Sequence, residues 1–196
     1  MLCLNDTNNS FSGCTAIPGS TQKLSFIEIA DINNDTKLDI ISGSWGYGSD
    51  SVDWYENLGN GNFSTPKIIT DTNINQIASL HSVDFNNDEH IDIVATSYEH
   101  NKIVWFENNG NGASFTEHTI TGSVAGANSV DIVDINGDGY DDIISTSNQN
   151  NEIYWHKSTQ TSLPTFNTRY KIDTALVNVH YASGVDMNND GNIDIL

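Results

Sequence analysis

Asp134-Ile-Asn136-Gly137-Asp138-Gly139-Tyr140-Asp141-Asp142 is one of four copies of a nine-residue stretch in this chain. The others are Asp31-Ile-Asn33-Asn34-Asp35-Thr36-Lys37-Leu38-Asp39, Asp84-Phe-Asn86-Asn87-Asp88-Glu89-His90-Ile91-Asp92 and Asp186-Met-Asn188-Asn189-Asp190-Gly191-Asn192-Ile193-Asp194. Their starts lie 53, 50 and 52 residues apart. Oxygen-bearing side chains recur at loop positions 1, 3, 5 and 9, the donor type that hard cations take. A period near 50 residues is the size of one supersecondary unit in a radial or stacked array.

The sequence around each loop repeats with it. An apolar stretch leads in, as in Leu24–Ala30 and Ile77–Val83, and a β-branched stretch follows, as in Leu38–Ser44 and Ile91–Ser97. A Trp-centred stretch comes next (Trp54, Trp105, Trp155), then a Gly- and Asn-rich turn, then a Phe-led stretch (Phe63, Phe115, Phe166). These runs are short, rich in Val, Ile and aromatics, and bounded by Gly, Asn, Asp and Ser, which is the signature of strands. No useful length carries a helical period. The sequence therefore predicts an all-β chain of β-propeller blades, each of four antiparallel strands. The predicted divisions are 1–20, the outer strand of a preceding blade; 21–72, 73–123 and 124–174, three blades; and 175–196, the first half of a further blade. On this phase the expected partners include remaining blades of a parent chain.

Twenty-six Asp and Glu against seven Lys and Arg give a net charge of −19. With no basic stripe to neutralise phosphates, nucleic acid is not an expected partner. Membrane insertion is not expected either, since no apolar run nears the roughly 20 residues of a spanning helix. Four divalent ions would bring −19 to −11, so part of the acidity is a metal signature. Cys3 and Cys14 could close a short loop or stand as free thiols. No cysteine or histidine set has zinc spacing.

Calcium suits the loops best. It takes six to eight oxygens with tolerant geometry, whereas magnesium demands a strict octahedron. Asp31, Asn33, Asp35 and Asp39 would supply side-chain oxygens in the first loop, and the Lys37 carbonyl a fifth. The second set is Asp84, Asn86, Asp88, Asp92 and the His90 carbonyl. The third is Asp134, Asn136, Asp138, Asp142 and the Tyr140 carbonyl. The fourth is Asp186, Asn188, Asp190, Asp194 and the Asn192 carbonyl. Up to four Ca²⁺ ions are thus expected, one per loop, bracing the turn between the first and second strands. Position 4 suits a left-handed residue, and at position 6 glycine is easier than Glu89.

The pattern Asp-x-Asn-x-Asp-x-x-x-Asp, followed by Ile-Ile or Ile-Val and then Trp-Tyr-Glu-Asn-x-Gly-Asn-Gly-x-Phe, resembles the FG-GAP-like (VCBS) repeat, related to the propeller of integrin α chains. The resemblance covers essentially the whole chain. It implies a calcium-braced β-propeller, usually extracellular, used in adhesion, in recognition or as an accessory domain. Neither a Phe-Gly nor a Gly-Ala-Pro landmark stands at the expected places.

Antiparallel strands put the Asp loops on one end of each blade and the loops between second and third strands on the other. Those second loops vary, and variable loops on a rigid scaffold commonly carry binding. Trp45, Tyr47, Tyr98 and His100 are the candidates there for a glycan or protein ligand. No Ser-His-Asp or paired-carboxylate set stands out, so no catalytic residue is assigned. The expected function is a non-catalytic, calcium-stabilised propeller of a secreted or cell-surface protein, mediating adhesion or glycan or protein recognition. The alternative is a structural or accessory domain of a larger secreted, polysaccharide-acting enzyme.

Overall fold

Runs of Val, Ile and aromatic residues broken by Asn, Asp and Gly give short strands and tight turns. The computed structural model describes residues 2–5, 11–19, 24–46, 50–159, 163–173 and 176–196. Among them it holds strands and no helix. In chain order these are β1 (Leu2–Asn5), β2 (Phe11–Thr15), β3 (Leu24–Ala30), β4 (Asp39–Ser44), β5 (Val52–Tyr55), β6 (Asn57–Gly59), β7 (Asn62–Phe63) and β8 (Lys67–Thr70). Then come β9 (Leu80–Val83), β10 (Asp92–Ser97), β11 (Lys102–Asn108), β12 (Phe115–Thr121) and β13 (Ala127–Val133). The last are β14 (Asp142–Ser147), β15 (Glu152–Lys157), β16 (Thr168–Asp173), β17 (Gly184–Val185) and β18 (Asp194–Ile195).

Three antiparallel four-stranded sheets form, in the orders β3-β4-β5-β8, β9-β10-β11-β12 and β13-β14-β15-β16. Each is one propeller-like blade, and β17–β18 begin a fourth unit. The first strands β3, β9, β13 and β17 are neighbours in space, which makes them the inner row. In the first blade the Phe-led stretch is split into β7 and β8. Pro66 lies between them, and it has no N–H to give a ladder.

Residues 1–20 hold more than the single outer strand expected. Phe11–Thr15 pairs with Leu2–Asn5, and Asn5 faces Phe11 as Asn57 faces Phe63 and Asn108 faces Phe115. The hairpin thus has the register of the third and fourth strands of a blade. A disulfide joins Cys3 to Cys14 across it, with Cα atoms 4.1 Å apart.

Apolar side chains pack between successive blades. Ile32, Ile41, Val52 and Trp54 of the first share a cluster with Ile77, Leu80 and Ile93 of the second. Phe85, Val94 and Trp105 meet Val130 and Ile143 in the next. Trp54 and Trp105 are buried, as their mid-strand position predicts. Each Trp also carries a cross-strand partner over its ring: Lys67 Nζ 4.3 Å from Trp54, His118 stacked at 4.5 Å on Trp105, and Tyr170 at 4.7 Å on Trp155. Contact between blades is close enough to need glycine in places. A Cβ on Gly43 would lie 2.5 Å from Ile77 Cγ2, and one on Gly184 2.6 Å from Val133 Cγ1.

The third blade buries one polar pair in its sheet. Ser145 Oγ and His156 Nε2 are 2.7 Å apart, and His156 is 1 % exposed. Burial, with the nearby Arg169 charge second, pushes the imidazole down to about 3. An unfolded histidine titrates near 6.5. Protonation therefore favours the unfolded chain, and the stability held above pH 6.5 is lost as pH falls toward 3. The expected loss at pH 4 is about 3 kcal/mol. Urea unfolding of the wild type and of His156→Gln at pH 7 and pH 4 isolates it, because other titrating groups cancel in the difference. A gap between the two chains that does not change with pH would contradict this.

Candidate functional site

The four Asp loops share one backbone path. Position 4 has positive φ in all of them (Asn34 58°, Asn87 59°, Gly137 70°, Asn189 60°), as does position 6 (Thr36 70°, Glu89 70°, Gly139 85°, Gly191 86°). Asparagine and glycine tolerate this region, whereas a β-branched residue is strained there. Thr36→Gly is therefore expected to raise unfolding free energy by about 0.5–1 kcal/mol, the relief exceeding glycine's entropy cost. A lower urea midpoint for the variant would refute this reading of the turn.

The side chains turn inward onto the loop's own N–H groups. Asp31 Oδ1 and Asn33 Oδ1 both accept from Asp35 N, at 3.0 and 3.1 Å, and Thr36 N donates to Asp31 Oδ2 at 2.7 Å. The same two oxygens converge on Asp88 N in the second loop and on Asp190 N in the fourth. In the third, Asp134 accepts from Asp138 N and Gly139 N, while the Asn136 amide donates to Asp142. The carboxylate at position 5 accepts the N–H of position 7 in every loop. Lys37 Nζ also reaches Asp35 Oδ2 at 2.6 Å and, through that hydrogen bond first, holds Asp35 below the usual carboxylate range. The backbone N–H of Asn192 lowers Asp190 in the same way.

Position 9 has a separate task. Asp39 and Asp92 are fully buried, and each accepts two backbone N–H groups. One comes from position 2 of the loop, Ile32 at 3.1 Å or Phe85 at 3.3 Å. The other comes from the end of the third strand, Asn57 at 2.7 Å or Asn108 at 2.8 Å. Asp142, also buried, takes Ser158 N at 2.7 Å. The ninth residue thus clamps the loop to the blade. Burial drives Asp39 upward and Asp92 up to about 7, against the pull of those N–H donors. Neighbouring loops touch as well: Asn34 Nδ2 donates to Glu89 O at 3.2 Å and meets His90 Nδ1 at 3.0 Å.

Among the described residues, no three His, Cys, Asp or Glu side chains form a cluster able to hold a metal. The expected set depends only partly on such groups, since positions 3 and 7 offer amide oxygens. In the first, second and fourth loops the convergence of position-1 and position-3 oxygens on one N–H, with a carboxylate two residues on, makes a donor set that fits a hard, oxygen-seeking cation.

At the opposite end of the blades, Trp45, Tyr98 and Asn148 hold the same place in successive units, fourteen residues after each loop's first Asp. They touch in series. Trp45 and Tyr98 rings lie 5.3 Å apart at 49°, and Tyr98 Oη donates to Asn148 Oδ1 at 3.3 Å. Asn148 Nδ2 then lies 3.3 Å from His180 Nδ1 of the fourth unit. Trp45 is exposed, and His100 is exposed with its ring on Ser97 Oγ at 3.1 Å. Tyr47 lies outside the described residues.

A second row lines the inner strands. Glu28, His81, Asp131 and Ser183 each stand three residues before their loop. His81 lies 3.8 Å from Glu28 on one side and 3.8 Å from Asp131 on the other, and Asp131 accepts from Ser183 Oγ at 2.8 Å. This row is absent from the candidates that the sequence supplied, and His81 is bracketed by an acidic side chain from each neighbouring blade. Their shared repeat position was the available signal.

A family model described as FG-GAP-like repeat matches residues 31–95, 84–145 and 134–196. No curated protein matches the chain. Among solved structures, that of NanB plus Optactamide is similar, with a TM-score of 0.53 and 13 % identity. The likeness covers 85 % of this chain and 26 % of that one, so this chain spans about a quarter of its length. At that identity the likeness is one of fold.

Proposed function

The chain belongs to the FG-GAP-like repeat family, and from that premise we propose that it is a calcium-stabilised, non-catalytic β-propeller of a secreted or cell-surface protein that recognises a glycan or protein ligand. Calcium would be held by the side chains of positions 1, 3 and 5 and the carbonyl of position 7, while the position-9 carboxylate, expected from spacing to be a further ligand, has its oxygens on backbone N–H groups and closes the loop onto the blade. Its contribution is charge neutralisation, which lets carboxylates crowd one turn. The loops brace one end of the blades and leave the other for recognition.

The observation that carries recognition is the contacting row Trp45–Tyr98–Asn148 at equivalent repeat positions. Aromatic faces beside amides suit the apolar faces and hydroxyls of sugars, and equally a peptide's side chains and backbone. Screening on glycan and protein arrays is expected to find a ligand whose affinity falls at least about tenfold in Trp45→Ala, roughly 1.4 kcal/mol. Trp45→Ala should leave the melting temperature unchanged, because the ring is partly in solvent. Arrays with no ligand would refute recognition and favour a purely structural domain. Turnover of a substrate by the chain would refute the non-catalytic reading.

A further inference from the structure

The link from third to fourth strand differs between blades. In the second it reads Asn108-Asn-Gly110-Asn-Gly112-Ala-Ser-Phe115 and seals the boundary with the first blade. Asn108 Nδ2 donates to Ile32 O at 3.0 Å, and a Cβ on Gly112 would lie 2.7 Å from Trp54 Cζ2. In the third blade Ser158 takes the place of Asn108, its N–H likewise on the ninth-position Asp. The link from there to Phe166 is one residue longer and has no glycine. Ser158 Oγ donates within its own link, to Thr159 O at 3.3 Å. Across the boundary, on the second blade, His118 holds the place of Lys67. It pairs with Glu107 as Lys67 pairs with Glu56, and lies over Trp105 as Lys67 lies over Trp54, on a shorter side chain.

A cavity of about 470 Å³ opens at this second boundary. Residues 117–120 of β12 line one side and residues 164–167 the other, and the buried Trp105 completes the lining. Its size is that of a small-molecule site, roughly 300–1,000 Å³. Two kinds of surface meet in it. Phe166 lies flat on Phe85, ring centroids 5.6 Å and planes 7° apart, which fixes the ring beside Pro164 and Ile120. Thr165, Asn167 and His118 add a hydroxyl, an amide and an imidazole. His118 Nε2 lies 2.7 Å from Glu107 Oε2, a hydrogen bond that orients the imidazole. None of the nine lining residues is Lys or Arg, and the chain carries −19, so an anion is not favoured there.

We propose that this cleft is a second ligand site, taking a neutral sugar unit with its C–H face on Phe166 and its hydroxyls on Thr165, Asn167 and His118. The departure from the repeat is what opens it, since the corresponding link of the second blade is packed down on Trp54. The site is separate from the row of Trp45 and Tyr98. The connection between β15 and β16 lies at the Asp-loop end of the blade, and that row lies at the other. Either site can fail without the other.

Amide-resolved NMR of the whole chain, titrated with the methyl glycosides of glucose, galactose, mannose and N-acetylglucosamine, tests this. At least one glycoside is expected to shift the amides of residues 117–120 and 165–167 saturably, with a dissociation constant below about 10 mM. Asn167 is exposed, so Asn167→Trp should stay folded by circular dichroism while its indole takes up the cavity, and binding should weaken more than about tenfold. Asn167→Ala, which removes only the amide, should weaken binding by a smaller factor. Trp45→Ala should leave these shifts unchanged. No shift of these amides by any of the glycosides up to about 50 mM overturns the proposal. So does a glycoside whose binding survives Asn167→Trp and is lost in Trp45→Ala, which would place it on the other row.

Discussion

Asp92→Ala is expected to lower the unfolding free energy of the metal-free chain by about 3–5 kcal/mol, a large share of the stability of an ordinary domain. The carboxylate is fully buried and each of its oxygens accepts a backbone N–H, from Phe85 at 3.3 Å and from Asn108 at 2.8 Å. Alanine leaves both donors buried without partners, at about 1–3 kcal/mol each. Asn108 is itself buried and ties the blades together, its amide donating to Ile32 O of the first blade at 3.0 Å and to Ile91 O at 3.1 Å. Displacing it therefore loosens a contact between blades. The effect should depend on pH in a set direction. Asp92 is raised to about 7, while an unfolded Asp titrates near 3.9. Its contribution is complete below about pH 4 and declines as pH rises through 7. The loss on substitution is thus larger at pH 5 than at pH 8. Urea unfolding in EDTA at the two pH values measures it. A cost below about 1 kcal/mol at pH 5 would show that the clamp is not structural.

Removal of calcium should have the other large effect. A ligand that binds only the folded chain adds about 2.7 kcal/mol per site at a hundred times its dissociation constant. In a domain of this size each kcal/mol moves the melting temperature by roughly 2–4 °C, so one occupied loop is worth roughly 5–10 °C. Calorimetry with millimolar Ca²⁺ and then with excess EDTA is expected to show a fall of at least that size, and Asp31→Ala should remove one loop's share. Magnesium should substitute poorly. Identical melting curves with and without EDTA would end the calcium proposal. The two experiments separate two tasks within one nine-residue motif, since Asp92→Ala acts in EDTA and Asp31→Ala should act mainly with the cation present.

That division was not legible in the sequence. Spacing alone gives positions 1, 3, 5 and 9 the same standing. What separates the ninth is an N–H brought in from 16 or 18 residues away at the end of the third strand. The repeat itself was legible, because period, Trp and Phe landmarks and turn residues all gave the same phase. Positive φ at position 4 followed from Asn and Gly, but Thr36 gave no such sign. The first strand of the hairpin escaped notice for want of a Trp at its centre. The six-residue step from Asn5 to Phe11, equal to that from Asn57 to Phe63, was the usable clue. The contact between Trp45 and Tyr98 depended on how far apart adjacent blades stand, which no single repeat encodes.

Gly43 and Gly184 bear on that distance. Where a Cβ would sit, the next blade's Ile77 or the previous blade's Val133 is already present. There the backbone of one blade lies directly on an aliphatic side chain of its neighbour, with no room between them. In a radial array, the thickness of each wedge fixes the angle it subtends, and that angle fixes how many wedges complete a circle. A single methyl at position 43 would act as a shim, widening one wedge and changing the arithmetic of closure for every other.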